Sequence, residues 1–319
     1  MGDGVGSRKA SGDEDEMKKL IIFLLASICA PPVSAWAHGV VGDYVFLEPL
    51  ITEDPTPANE LDIVEPGWAR TSEGRTFSIG NEIEKVLIVD SEGLPRFSAG
   101  GGTNWSYLSP KEGPPDNGFD DPELFGKYAF LFMPEHEFLL SLELDASIPT
   151  GNPKIEEEQH TSLGPAFNWE KALGDLPNLP VLKYLRPLGF QGSIGYLPAL
   201  GGHANHELSV NHVVEYSFSY LSNNVQDIGL KPPFRNLFLF TEFNYDQLIK
   251  GPSGQTFPNI VITPGIAYVG YHFELSVGTQ LALNNAARPD THAVILGLLD
   301  IFYDSIIPQG NWTLNDLWR

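Results

Sequence analysis

Four segments of this chain alternate apolar and polar residues with a period of two, the signature of extended strands with two unlike faces. In 137–148, Phe138, Leu140, Leu142, Leu144, Ala146 and Ile148 share one face, and Glu137, Ser141, Glu143, Asp145 and Ser147 take the other. In 206–220, Leu208, Val210, Val214, Tyr216, Phe218 and Tyr220 alternate with Glu207, Ser209, Asn211, Glu215, Ser217 and Ser219. Segment 271–284 sets Phe273, Leu275, Val277, Leu281 and Leu283 against Glu274, Ser276, Gln280 and Asn284. Segment 236–246 sets Leu237, Leu239, Phe243 and Tyr245 against Asn236, Glu242, Asn244 and Asp246.

Length separates the two architectures that such a period allows. Strands of soluble sheets mostly run about 5 or 6 residues. These run about 10 to 15, which suits a tilted crossing of an apolar band about 25 Å tall. The pattern predicts an all-β chain: an antiparallel up-and-down transmembrane β-barrel with an irregular N-terminal extension. Apolar faces then meet lipid and polar faces line the lumen. Trp105, Tyr107, Tyr196, Tyr220, Tyr245, Tyr271 and Tyr303 lie near strand ends, where an interfacial girdle would sit.

The predicted strands are 76–89, 94–109, 123–134, 136–149, 160–172, 185–198, 205–221, 234–247, 256–269, 271–285 and 292–305. That makes eleven, and bacterial single-chain barrels carry an even number, so the expectation is about twelve. The twelfth is either Val40 to Pro49 or a segment whose period is hidden. Tight connections at Pro134-Glu135 and Val269-Gly270 read as periplasmic turns; the polar links 109–122, 150–160, 222–233 and 247–256 read as outer loops. The barrel is expected over 76–305. Residues 38–75, rich in Pro, Asp and Glu, form the extension or a partial plug, and 306–319 form a tail.

Charge narrows the function classes. The 319 residues carry a net charge of −22, which argues against nucleic acid and against docking on anionic lipid through basic residues. Residues 17–37 read as a signal peptide: Met17, Lys18 and Lys19, then the apolar run Leu20 to Ala30, then Ala35-Trp36-Ala37. The run is too short to span a bilayer. The polar leader 1–16 sits awkwardly ahead of it, so Met17 is an alternative start. A lipoprotein is disfavoured by Ile28 before Cys29. The first 37 residues hold four basic and five acidic groups, so −22 becomes −21 beyond them, and Cys29, the single cysteine, goes with them. These features point to the outer membrane of a Gram-negative bacterium.

A family likeness rests on specific residues. The start His38-Gly39-Val40-Val41-Gly42, then Thr52-Glu53-Asp54-Pro55 and Asn59-Glu60-Leu61, resembles transporter-like outer-membrane barrels similar to the barrel family of the phenol meta-cleavage pathway. Pro134-Glu135-His136-Glu137-Phe138, Ile148-Pro149-Thr150-Gly151 and Val261 to Gly270 resemble the same family, so the likeness spans most of 38–305. It implies an outer-membrane location and uptake of small hydrophobic compounds, and it carries over no catalytic residues. Such barrels usually end on an aromatic residue read by the insertion machinery; here the chain ends Leu317-Trp318-Arg319, so Trp318 or an internal strand would have to serve.

Candidate chemistry is sparse. His203 and His206 are weak metal candidates beside Glu207, with His212 on the apolar face; their spacing matches no strong zinc motif, and a polar loop leading into a strand is the plainer reading. His136 reads as a turn residue. Asp116, Asp120, Asp121 and Glu123 read as a solvated acidic loop, without the spacing of a calcium loop. The lumen-facing carboxylates are expected to be Glu143, Asp145, Glu207, Glu215, Glu242, Asp246, Glu274 and Asp300, balanced in part by Lys127 and Arg235. The lipid-facing set is Leu140, Leu142, Val214, Tyr216, Phe218, Phe273 and Leu275. No nucleophile elbow, P-loop or zinc-protease helix is present. The expectation is therefore a non-enzymatic channel or transporter for small molecules with an acidic lumen, no cofactor, and outer-membrane lipid and the insertion machinery as partners. The alternatives are an outer-membrane enzyme with acid-base residues at the rim, or a soluble periplasmic β-protein that binds a small ligand.

Overall fold

Twelve long strands pair edge to edge and close on themselves. The computed structural model describes residues 39–155, 161–198, 200, 206–250, 257–307 and 313–314. The leader 1–16, the signal segment 17–37, His203, Trp318 and Arg319 lie outside these. Two short strands, β1 (Val40–Val41) and β2 (Tyr44–Val45), pair only with each other. The wall begins with β3 (Glu60–Arg70), β4 (Gly74–Val89) and β5 (Pro95–Pro110), with β6 (Asp116–Phe119) lying against the far half of β5. It continues through β7 (Glu123–Met133), β8 (Phe138–Ser147), β9 (Ser162–Ala172), β10 (Leu188–Leu197), β11 (His206–Ser217) and β12 (Leu237–Lys250). It ends with β13 (Asn259–Val269), β14 (Phe273–Ala282) and β15 (Ala293–Ile301), and β15 pairs with β3 to close the ring. Every pairing is antiparallel. Closure removes the exposed strand edges that an open sheet would carry.

The alternation predicted from sequence divides the two faces of this wall. On β12, Leu239 and Phe243 point outward and are 50% and 40% exposed, while Glu242 and Asn244 point inward and are buried. On β14, Leu275 is 54% exposed and Glu274 fully buried. A soluble sandwich has the opposite polarity, with its apolar side chains in the interior.

Three expectations are corrected. The twelfth strand is β3, and Val40 to Pro49 forms no part of the wall. Pro66 and Gly67 break the period of β3 and hide it inside the 38–75 stretch. Second, the 222–233 link lies at the same end as the tight turns. Strand β11 runs toward that end, and Tyr220 Oη just beyond it donates to Glu137 Oε1 at 2.7 Å. Length says nothing about which end a connection occupies; strand direction does. Third, Phe218 and Phe273 are not simple outward residues. Strand β11 stops at Ser217, whose Oγ accepts from Tyr220 N–H at 3.1 Å, so Phe218 sits on a helical turn. Phe273 keeps the outward parity of Leu275 but is buried against Tyr268, with ring centroids 5.6 Å apart.

Residues 39–59 run inside the barrel. Val41, Tyr44 and Phe46 pack on Ala129, Phe132, Leu139, Ala172 and Tyr220. Leu47 packs on Val213, Phe238, Phe240 and Ala267, with Leu50 beside it. The core of this protein is therefore a plug held by the apolar inner residues near the turn end. One glycine decides its docking. Gly42 has φ +68°, and a Cβ there would overlap the Pro134 carbonyl oxygen. We expect Gly42→Ala to leave the barrel folded but destabilise docking of residues 39–59 by about 1–3 kcal/mol. Limited proteolysis in detergent micelles should then cut the plug faster than in wild type while the heat-shifted gel mobility of the barrel stays intact.

Candidate functional site: the plugged acidic lumen

A peptide without regular structure brings its backbone N–H groups into the lumen, and buried N–H groups need acceptors. The wall supplies them as carboxylates. Glu242 on β12 accepts from the N–H groups of Leu50 at 2.7 Å, Ile51 at 3.2 Å and Thr52 at 2.9 Å, and from Thr52 Oγ1 at 3.0 Å. Glu274 accepts from Glu48 N–H at 3.2 Å, and Glu215 from Leu47 N–H at 3.4 Å. Gln191 Nε2 donates both to the Leu47 carbonyl at 2.8 Å and to Glu215 at 3.1 Å. Glu84 accepts from Ala58 N–H at 2.9 Å, and Glu170 from the Thr56 hydroxyl. At the turn end Tyr44 Oη donates to the Pro187 carbonyl at 2.9 Å.

Of the eight lumen carboxylates expected from sequence, Glu215, Glu242 and Glu274 hold the plug. Glu143 accepts from Asn168 Nδ2 at 2.9 Å, and Asp300 is buried in register with Glu274. Asp145, Glu207 and Asp246 are half-buried farther toward the loop end. Glu84 and Glu170 were missed, though the parity of their own strands would have found them. Glu48 and Asp54 were missed because plug residues follow no period, and Glu60 because it opens β3, the strand whose period Pro66 and Gly67 hide. Their carboxylate oxygens lie within 4.8 Å of one another, close enough to share a hard cation.

Lys127 lies in the lumen with its ammonium 3.0 Å from Glu84, both side chains almost fully buried. Arg235 does not line the wall; it sits in the short turn 234–236 before β12. Among the other candidates, Tyr196 Oη bonds His206 Nδ1 at 2.7 Å, and His212 is exposed, edge-on to Trp169. His136 lies in the exposed turn after β7, 3.4 Å from Asp175. The acidic loop residues tie loops together: Asp116 to Lys154 at 2.8 Å, Asp120 to Asn104 at 2.9 Å and Asp121 to the Gly151 N–H at 2.7 Å.

Above the plug, the described residues enclose acidic cavities. A cavity of about 520 Å³ is lined by Glu65, Glu82, Asp120, Asp121, Glu123 and Glu207. A second, of about 250 Å³, shares Glu82, Glu123 and Glu207 with it and adds Glu53, Glu143 and Asp145. A third, of about 300 Å³, reaches Glu48 and Asp62. Shared lining residues make these one vestibule. Water-facing carboxylates converging there set up a negative potential that concentrates cations. At the turn end Glu137, φ +48°, accepts from Gly174 N–H at 2.8 Å and from Tyr220 Oη. Burial raises its pKa, and the Tyr220 and Gly174 donors offset this only in part.

No protein-family model matches the chain, and no curated protein matches its sequence. Among solved structures it is similar to an outer membrane channel from Pseudomonas putida F1, with TM-score 0.52 and 11% identity over 80% of this chain and 99% of that one. It also aligns with the NanC porin, TM-score 0.46 and 9% identity over 76% of this chain and 98% of that one. Outer membrane phospholipase A from Escherichia coli aligns with TM-score 0.40 and 9% identity over 84% of this chain and 98% of that one. At such identities the first likeness is one of fold, that of an outer-membrane barrel, and the other two carry no weight.

Two outcomes follow from the geometry. Glu242→Ala should leave three backbone N–H groups and a hydroxyl without their acceptor and cost on the order of 3 kcal/mol. Glu242→Gln, which keeps one oxygen but turns an NH₂ toward donors, should fall between; urea unfolding in micelles ranks the three proteins. For Glu137, a raised folded-state pKa means that the folded chain binds the proton more tightly than the unfolded one. Its contribution is complete below the ordinary glutamate value and is lost as pH rises through the raised one. Melting temperature should therefore decline over that window in wild type, and less steeply in Glu137→Gln.

Proposed function

We propose that this chain is an outer-membrane channel that passes small molecules through an acidic lumen gated by its own N-terminal plug. The observation that carries this reading is a closed barrel whose exterior is apolar, whose interior is lined by carboxylates, and whose bore is occupied by residues 39–59. In this reading Leu140, Leu142, Val214, Tyr216 and Leu275 meet lipid. Residues 17–37 serve as the export signal, and the barrel-insertion machinery delivers the chain. The family likeness of His38 to Gly42 and of Pro134 to Phe138 supports small-molecule uptake in the manner of the phenol meta-cleavage barrels.

Charge sets the preference. Cations gain from the field of Glu65, Glu82, Glu123 and Glu207 at the mouth, and anions are repelled. Passage requires the plug to shift, because Glu242, Glu215 and Glu274 tie it across the bore. In planar bilayers the purified protein should select potassium over chloride, and deletion of residues 39–59 should raise single-channel conductance severalfold while keeping that preference. Chloride selectivity in wild type would contradict the acidic-lumen reading. Recovery of the protein in a soluble periplasmic fraction, with no heat-dependent gel shift, would contradict the barrel channel altogether.

A further inference from the structure

The ring closes where its first strand meets its last, and the ladder is interrupted there. Pairing between β3 and β15 runs to Leu296 opposite Gly67 and resumes at Leu299 opposite Val64. Glu65 and Pro66 on one side, and Gly297 and Leu298 on the other, have no ladder partners across the seam. On its other edge β3 slips against β4 between Asp62 and Glu65. Ile63 pairs with neither neighbour, and Pro66 has no N–H to offer. Gly297, the middle residue of β15, and Gly67 add no side chain to the barrier.

Cavities meet at this gap from both sides. The inner one, about 300 Å³ and bordered by Glu48, Asp62, Glu65 and Glu82, is lined by Pro66, Gly67, Leu296, Gly297 and Leu298. The same five residues line a groove of about 370 Å³ on the exterior, whose other walls include Trp68, Phe77, Leu275, Val277 and Ile295. A strip two residues deep on each strand therefore separates an acidic chamber from an apolar groove. The ladder between β3 and β15 is interrupted across that strip, and Pro66 cannot donate to it.

We propose that the seam between β3 and β15 is a lateral exit, through which a small amphipathic cation passes between the acidic lumen and the surrounding lipid. The cationic end suits the carboxylates of the inner chamber, and the apolar body suits the groove outside. The inference rests on the proposed reading of the chain as a membrane channel and names a cargo class and a route for it.

Crosslinking tests it. The single natural cysteine, Cys29, falls in the signal segment, so a pair introduced at register partners Val64 and Leu299 meets no competing thiol once that segment is removed. Such partners lie within disulfide reach. The probe is a hexyl styryl-pyridinium dye, followed in proteoliposomes as fluorescence protected from a membrane-impermeant quencher. Wild type should speed dye transfer over protein-free vesicles. Oxidised V64C/L299C should slow it about tenfold, with recovery under dithiothreitol and potassium conductance unchanged. Gly297→Leu, which fills the outer groove without a crosslink, should slow it likewise. The exit is overturned if neither variant alters dye transfer, if dye and potassium fall together, or if wild type conducts potassium but moves no dye. Failure of wild type to pass either probe would overturn the channel reading itself.

Discussion

An irregular peptide can occupy a barrel only if the wall answers its backbone N–H groups, and that requirement organises this molecule. Glu242 alone accepts from three consecutive plug residues, and Glu215, Glu274 and Glu84 take others in turn. A carboxylate suits the task because it presents several acceptor sites and no donor. Gln191 appears where the plug shows a carbonyl instead, since an amide can donate to it. The inner wall is thus matched to the plug group by group, and its acidity is structural before it is functional.

The same acidity creates an electrostatic load that the fold distributes along the bore. Near the turn end the interior is apolar, with Leu139, Val213, Phe238 and Phe240 packed on Tyr44, Phe46 and Leu47. Farther along, Glu65, Glu82, Glu123 and Glu207 face a roomy vestibule where water can screen them. Lys127 sits between these zones and pairs with Glu84. Packing anchors the plug at one end, hydrogen bonds hold its middle, and the hydrated charges lie beyond it.

Strand β3 shows how one residue can serve topology and weaken it together. As the first wall strand it must pair with β15 for the ring to close, yet Pro66 and the flanking glycines leave part of that pairing unmade. The β13–β14 ladder shows a comparable gap at Pro264, between Ile262 and Gly265. At the seam the interruption coincides with five residues that line both an inner cavity and an outer groove.

Period and length in the sequence were enough to establish an all-β barrel of about twelve strands, because side-chain alternation is a local property of each strand and its inward parity follows automatically. Glu215, Glu242 and Glu274 could be assigned to the interior on that ground alone. Whether those carboxylates face water or hold a peptide was not legible, since their partners Leu47 to Thr52 lie about 170 to 230 residues away in sequence and follow no period. The strand hidden by Pro66, the end of the barrel at which 222–233 turns, and the convergence of Glu48, Asp54 and Glu60 were likewise decided by closure of the ring. Local patterning specifies which face a residue takes; only the closed, plugged structure specifies what it meets there.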